Sequence, residues 1–362
     1  MSKQLPNLTN VGTFPHMNCE RGCQIELKYT IMDVAKMSGV SKSTVSRVIS
    51  NTGYVSPESR KRVLLSIEKL QYRPNGVARA MVARQTQNIG VIIYRQHHPI
   101  ASHPFYGKIL DAILEKASEL GYSIFVMTDK DLTSKSADFL LEKRVDGLIL
   151  VSKLNHELID YFKNMYIPFV MVNGTCDHSD VIHLVNDDER GGELAAQHML
   201  SLGLTAVSVI SGPLEHRSHK LRLEGFQKTY QREGFTLDDD RIYYANSSQF
   251  DEGYKGFQQL WERSPNFKAL FATNDMIALG AIKAIYEKGL QVPEHIAVMG
   301  FDDIDYAAMA NPSLSTIHSS KTKMGHDAVS ILDKEIQGIT TTKDLPMYVP
   351  ELKVRYSTKG TK

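Results

Sequence analysis

The chain has 362 residues, 42% of them hydrophobic and 23% charged, with a formal net charge of +1. That length is too great for one ordinary domain, and the composition is that of a soluble globular protein rather than a disordered or fibrous one. Three cysteines, Cys19, Cys23 and Cys176, are too few for a disulfide framework, and no run of eighteen apolar residues predicts a membrane span, so a cytoplasmic location is expected.

Residues 1–28 lack the continuous apolar segment of a secretory signal and hold Pro6, Asn7, Asn10, Gly12, Pro15 and Asn18, which predicts a disordered tail. His16, Cys19 and Cys23 have no fourth partner at a familiar spacing, so no metal site is expected. The near-neutral total hides an uneven distribution. Between Tyr29 and Arg84 ten lysines and arginines stand against three acidic residues, a net +7, so the remainder carries −6.

In that basic segment, Thr30 with Asp33 predicts a capping box, and Ile31, Val34 and Ala35 follow one buried helical stripe. Gly39 can take the positive φ that ends a helix. Ser41 then caps a second helix with Val45, Val48 and Ile49 inward and Lys42, Ser43, Ser46 and Arg47 on the opposite face. The outward face thus carries donors without carboxylates, which suits a DNA groove. Ser56-Pro57-Glu58 opens a third helix, with Val63, Leu64, Ile67 and Leu70 at buried spacing and Pro74 as its stop. Asn75 caps a segment, residues 76–83, too short to be a stable helix alone in water.

From Ile89 onward short apolar runs alternate with amphipathic segments. Strands are predicted over Ile89–Ile93, Ser123–Met127, Gly147–Val151, Phe169–Val172, Ala206–Ile210, Ala269–Ala272 and Ile296–Met299, with helices around Leu194, Leu223, Phe257 and Ile282. This alternation means parallel sheets covered on both faces, and so many strands imply two α/β subdomains with a cleft between them. Ligands of such sheets bind at the carboxyl ends of strands. The residues found there are polar: the stretch from Tyr94 to Tyr106, Thr128 and Asp129, Asn173, the run from His216 to Arg222, Asn274 and Asp275, and Asp302 and Asp303. Carboxylates, amides and a guanidinium in one cleft suit a ligand rich in hydroxyls.

The runs Asp33-Val34-Ala35, Gly39-Val40-Ser41, Thr44-Val45-Ser46-Arg47-Val48 and Arg73-Pro74-Asn75, with Ala78-Arg79, resemble the headpiece of LacI/GalR-type transcription regulators. The stretch from Ile89 to about Val354 resembles the effector-binding core of the same family. The resemblance implies an all-α helix-turn-helix headpiece at 29–73, a hinge helix and linker at 74–86, and a core at 87–362. That core would be two α/β subdomains like those of periplasmic binding proteins, with chain crossings near 187 and 318. It also implies base reading by Lys42, Ser43 and Arg47, and phosphate contacts from Ser41, Thr44, Tyr54, Ser56 and Asn75. Val77, Ala78 and Met81 would enter the minor groove, with methionine where the family more usually has leucine. Gly76 lowers intrinsic helicity further, which predicts a hinge dependent on DNA.

Carried over to the core, the resemblance assigns effector contacts to Phe105, Asn173, Arg222, Asn274 and Asp302. The implied partners are palindromic double-stranded operator DNA, a second copy of the chain meeting through a helix from about Phe105 to Leu120, and a small sugar or sugar phosphate. No cofactor and no enzymatic activity are expected: neither a G-x-G-x-x-G turn, a nucleophile elbow nor a zinc motif is present. No leucine heptads follow Tyr356, so a terminal coiled coil is not expected. A purine-responsive or globally acting regulator, or a sugar-binding protein without a regulatory role, would share the core. One departure stands out. Before Gly253-Tyr254, where relatives often carry an aromatic residue, this chain reads Asn-Ser-Ser-Gln-Phe, and Phe250 is displaced in register. Trp261, at helical spacing with Phe257 and Leu260, is expected to pack rather than to stack on ligand.

Overall fold

The computed structural model describes residues 29–50, 53–72, 86–94, 102–128, 145–152, 154, 156–339, 341–342, 345 and 347–359. The predicted tail, residues 1–28, and the hinge residues Asn75, Val77, Ala78 and Met81 lie outside them. The chain divides into two compact units, the first ending at residue 82.

In the first unit, α1 (Ile31–Ser38), α2 (Lys42–Ser50) and α3 (Pro57–Leu70) close around Val34, Ala35, Val45, Val48 and Val63. The Asp33 carboxylate accepts from Thr30 N at 2.7 Å and Thr30 Oγ1 at 2.8 Å, fixing the start of α1. Gly39, at φ 67°, donates its N–H to Ala35 O and ends that helix. Two expectations need correction. Leu64 is 53% exposed, because the inward stripe of α3 runs Val63, Ser66, Ile67, Leu70, and Leu64 sits about 100° around the helix from Val63. The helix also ends before Pro74: Gln71 takes the left-handed conformation at φ 47° and returns its N–H to Glu68 O and Ile67 O.

The second unit holds two parallel sheets. One is ordered β2-β1-β3-β4-β5, from β1 (Asn88–Ile93), β2 (Ser123–Thr128), β3 (Gly147–Val151), β4 (Phe169–Val172) and β5 (Ile182–Leu184). The other is ordered β7-β6-β8-β9, from β6 (Val207–Ser211), β7 (Ile242–Tyr244), β8 (Ala269–Ala272) and β9 (Ala297–Met299). Every residue of β3, β6 and β8 is buried, as expected of strands with both faces covered. The helices expected around Leu194, Leu223, Phe257 and Ile282 are Asp188–Ser201, Arg217–Arg232, Phe250–Arg263 and Asp275–Glu287.

The chain passes between lobes three times. It leaves β5 for the helix Asp188–Ser201, and after β10 (Thr316–His318) it enters the helix Lys321–Ile336, which packs on β3, β4 and the helix Tyr106–Glu119 of the first lobe. It then returns to β11 (Glu351–Lys353), antiparallel to β10. Bridges Asn186 to Tyr348 and Asp302 to His318 tie these crossings together.

Candidate effector cleft and DNA-facing surface

On the headpiece, Lys42, Ser43 and Arg47 are all exposed on α2, opposite buried Val45 and Val48. Ser41 Oγ accepts from Thr44 N at 3.1 Å and shares hydrogen bonds with Ser43 Oγ and Thr44 Oγ1 at 2.7 and 2.9 Å, so a polar cluster marks the start of that helix. Tyr54 is 86% exposed, whereas Ser56 uses its hydroxyl to cap α3, accepting from Ser59 N at 3.3 Å.

In the core, close helix crossings set the geometry. A Cβ at Gly192 would lie 2.1 Å from Arg222 O, and one at Gly225 would lie 2.1 Å from Glu189 O. The helices Asp188–Ser201 and Arg217–Arg232 can therefore approach closely enough for Arg222 to reach Asp188. Arg222 Nε donates to Asp188 Oδ1 at 2.9 Å, Nη1 to Thr273 O at 2.8 Å and Nη2 to Asp302 Oδ1 at 3.0 Å. Its guanidinium lies 3.8 Å from the centroid of the Phe301 ring. Burial opposes its charge, yet Asp302 and Asp188 outweigh burial and hold its pKa above the usual value. Its ion pairs are with Asp188 and Asp302 rather than with the nearby Glu224 or Glu215.

All five residues expected to touch effector line one cleft of about 680 Å³, a volume that includes its open mouth. Asp302 sits at φ 109° and Asn173 at φ 53°, in the left-handed region that asparagine and aspartate tolerate better than most residues. Asp302 Oδ1 takes Arg222 and Ser319 Oγ, and Oδ2 has no partner among the described residues. Burial pushes the Asp302 carboxyl up, against the pull of Arg222 and Lys321. Asn274 caps the helix Asp275–Glu287, accepting from Ile277 N at 2.8 Å, while its Nδ2 donates to Ser248 O at 2.9 Å. Phe105 stands edge-on to Tyr106, with ring centroids 5.1 Å apart.

Other lining residues were not singled out one by one from the sequence. Tyr94, His103 and Tyr106 lie in the expected loop, His216 and His219 in the expected run, and Ser248 and Gln249 in the departing segment before Gly253. Ser248 and Gln249 face the cleft, whereas Phe250 begins a helix. Trp261 packs on Phe257 and Phe267, each with centroids 5.7 Å away. Asp303 pairs with Arg355 and His318, and Asp275 accepts from Ile304 N and Thr316 Oγ1, so both serve the framework of the site. Among the described residues no helix is long and apolar enough to cross a membrane, and no group of three or more side chains could hold a metal ion.

Comparison with known proteins accords with this geometry. Residues 30–75 match the family of bacterial regulatory proteins, lacI family, and residues 196–358 match the periplasmic binding protein-like domain. The chain is 34% identical over 338 residues to the HTH-type transcriptional repressor PurR of Pasteurella multocida (strain Pm70), covering 91% of this chain and 99% of that protein. It is 32% identical over 333 residues to the ribose operon repressor of Escherichia coli (strain K12), with the same coverage. Among solved structures it is similar to the lac repressor dimer bound to operator and the anti-inducer ONPF, with TM-score 0.80 and 28% identity over 91% of this chain and 99% of that one. A complex of the transcriptional regulator CelR with cellobiose gives TM-score 0.70 and 27% identity over the same shares. With a helical DNA-binding unit ahead of a two-lobed α/β receptor, the chain belongs to the LacI family and is a DNA-binding transcription regulator with an effector-binding core, not an enzyme.

Proposed function

We propose that this regulator is a dimeric cytoplasmic repressor of carbohydrate-utilisation genes, whose grip on a palindromic operator is set by a small sugar in the core cleft. The observation that carries the effector class is the cleft chemistry. Arg222 is already committed to Asp188 and Asp302, which leaves Asp302 Oδ2 and the second N–H of Asn274 to meet hydroxyls, with Asn173 lining the same cleft. A lining whose one guanidinium is so engaged favours a neutral sugar over a sugar phosphate. The relatives named for ribose and cellobiose support the same reading.

In this scheme residues 29–73 read DNA, with Lys42, Ser43 and Arg47 on base edges and Ser41, Thr44, Tyr54, Ser56 and Asn75 on phosphates. Residues 74–86 form the hinge, with Val77, Ala78 and Met81 in the minor groove, and residues 87–362 bind effector and dimerise. Effector reorients the two lobes and with them the paired hinges, shifting operator affinity by its differential affinity for the two arrangements and no more. Phe105, Asn173, Arg222, Asn274 and Asp302 make the contacts.

A purine effector is the second reading. It is favoured by the rings of Tyr94, Phe105, Tyr106 and His216 on the cleft wall and by the PurR relatives. Thermal-shift screening against neutral sugars, sugar phosphates and purines, paired with gel shifts on palindromic DNA, separates the two. Stabilisation by hypoxanthine or guanine alone would refute the carbohydrate assignment.

A further inference from the structure

One wall of the cleft carries a hydrogen-bond chain whose direction follows from its members. Gly212 N donates to Thr273 Oγ1 at 2.8 Å, Thr273 Oγ1 lies 2.8 Å from His219 Nδ1, and His219 Nε2 lies 2.7 Å from Ser248 Oγ. Thr273 is fully buried, and His219 Nδ1 is the one acceptor its hydroxyl proton meets among the described residues. A buried hydroxyl proton left unbonded is unfavourable, so Thr273 donates and Nδ1 accepts. A neutral imidazole that accepts at Nδ1 carries its proton on Nε2, which then donates to Ser248 Oγ. Burial, with Arg222 and His216 adding to it, pushes His219 well below the usual imidazole range against a smaller opposing pull from the Thr273 backbone, so the neutral ring is favoured. It is also held in place: a Cβ on Gly212 would stand 2.6 Å from its atoms, so the ring lies flat against that backbone.

Ser248 Oγ therefore already accepts a hydrogen bond from the protein. Its own proton has no acceptor among the described residues, and the side chain lines the cleft. We propose that Ser248 is a specificity-determining residue, a hydroxyl donor turned toward the effector by Gly212, Thr273 and His219, and that this wall takes an acceptor oxygen of a polyhydroxylated effector. Asp302 Oδ2 can only accept. The two contacts together ask for a ligand that accepts at one point and donates at another, which a hydroxyl-rich ring does and an apolar face does not. The inference rests on the carbohydrate reading for the class of effector, but not for the direction of the chain.

The direction can be measured without any effector. Full-length protein labelled with nitrogen-15 at histidine, read by long-range proton–nitrogen correlation between about pH 6 and 8, should show His219 neutral with its proton on Nε2. Comparison with His219→Gln assigns the signals. An Nδ1–H tautomer, or an imidazolium at the acid end, overturns the proposal. Thr273→Val removes the donor to Nδ1 and should shift the tautomer balance, and Thr273→Ser should restore it.

For the wall itself, D-ribose, D-glucose, D-galactose and cellobiose are titrated calorimetrically against wild type, Ser248→Ala, Thr273→Val and Thr273→Ser. Any that binds wild type should bind Ser248→Ala and Thr273→Val roughly three- to tenfold more weakly, the loss of one neutral hydrogen bond, and Thr273→Ser within about twofold. Equal affinity for Ser248→Ala overturns the assignment. Binding of none of the four overturns the polyhydroxylated effector together with the carbohydrate reading, while the tautomer still decides the direction of the chain.

Discussion

Arg222→Ala would remove the cation that stands between two buried carboxylates. The side chains of Asp188 and Asp302 are 3% and 9% exposed, and both bond to Arg222, which also satisfies the carbonyl of Thr273. Removing one partner from a buried ion pair typically costs about 3–5 kcal/mol, because the remaining charge stays desolvated. Against a total stability of roughly 5–15 kcal/mol, that is a large fraction. The carboxylates can relieve the strain by taking up protons, which sets the sign of the pH dependence. Without Arg222 the folded-state pKa of Asp302, already pushed up by burial, rises further above its unfolded value. The variant is then relatively more stable below the unfolded carboxylate range and loses that stability as pH rises through the folded value. Urea unfolding followed by circular dichroism should show a deficit against wild type that is larger at about pH 8 than at about pH 5.5. Below the unfolding range, operator binding in gel shifts should persist while sugar no longer alters it. A wild-type midpoint at the higher pH, or a deficit that grows on acidification, would refute the reasoning.

Asp275 is fully buried, and burial followed by the charge of Asp302 pushes its carboxyl up to about 8. This group should therefore lower wild-type stability by about 1.4 kcal/mol per pH unit from near its unfolded value up to that pKa, and Asp275→Asn should lose this slope in urea titrations across pH. Gly280→Ala would place a Cβ 1.9 Å from Phe250 O. Because the neighbour is backbone, the helices Phe250–Arg263 and Asp275–Glu287 must part, costing about 1–3 kcal/mol or more in thermal unfolding. Arg47→Ala should relax base preference by ~1–3 kcal/mol at one position of each half-site, read as converging gel-shift affinities for operator variants.

What the sequence disclosed follows from how each feature is encoded. Gly147–Val151, Phe169–Val172 and Ala269–Ala272 are found at the expected bounds because a strand covered on both faces is an unbroken apolar run. β9, only three residues long, was legible from the apolar run Ile296–Met299, whereas β5, β7, β10 and β11 are both as short and mixed with polar or tyrosine side chains, so that pairing with a neighbour defines them. Leu64 misled because two adjacent leucines leave the phase of α3 ambiguous until Val63 and Ser66 are seen to face inward. In the cleft, Arg222, Asn274 and Asp302 were found by the strand-end rule. Asp188 was not, because an acidic residue in the first turn of a helix reads as an ordinary dipole partner. Only the glycine-mediated crossing of Gly192 and Gly225 brings it against Arg222. His219 lay in a marked run, but one-dimensional spacing does not say which of its neighbours its two ring nitrogens would meet.

These contacts also bear on how occupancy of the cleft is felt elsewhere in the core. Asp302 is held from two sides. Its carboxylate faces Arg222 in the second lobe, and its carbonyl, with those of Asp303 and Ser319, accepts from the buried ammonium of Lys321. Lys321 begins the helix Lys321–Ile336, which packs in the first lobe, and its Nζ lies 5.9 Å from the centroid of the Phe105 ring, itself part of the cleft wall. Burial lowers the Lys321 pKa and the charge of Asp302 is the largest influence opposing that, so the ammonium depends on the same carboxylate that shapes the cleft. A ligand on Asp302 consequently acts on a residue that both lobes already constrain, at a crossing rather than at a free loop. In a close-packed interior such a residue moves with its partners rather than alone. The energy available to move them is the difference between the ligand's affinities for the two lobe arrangements. Tight binding that is equal in both would leave the crossings, and the output they control, unchanged.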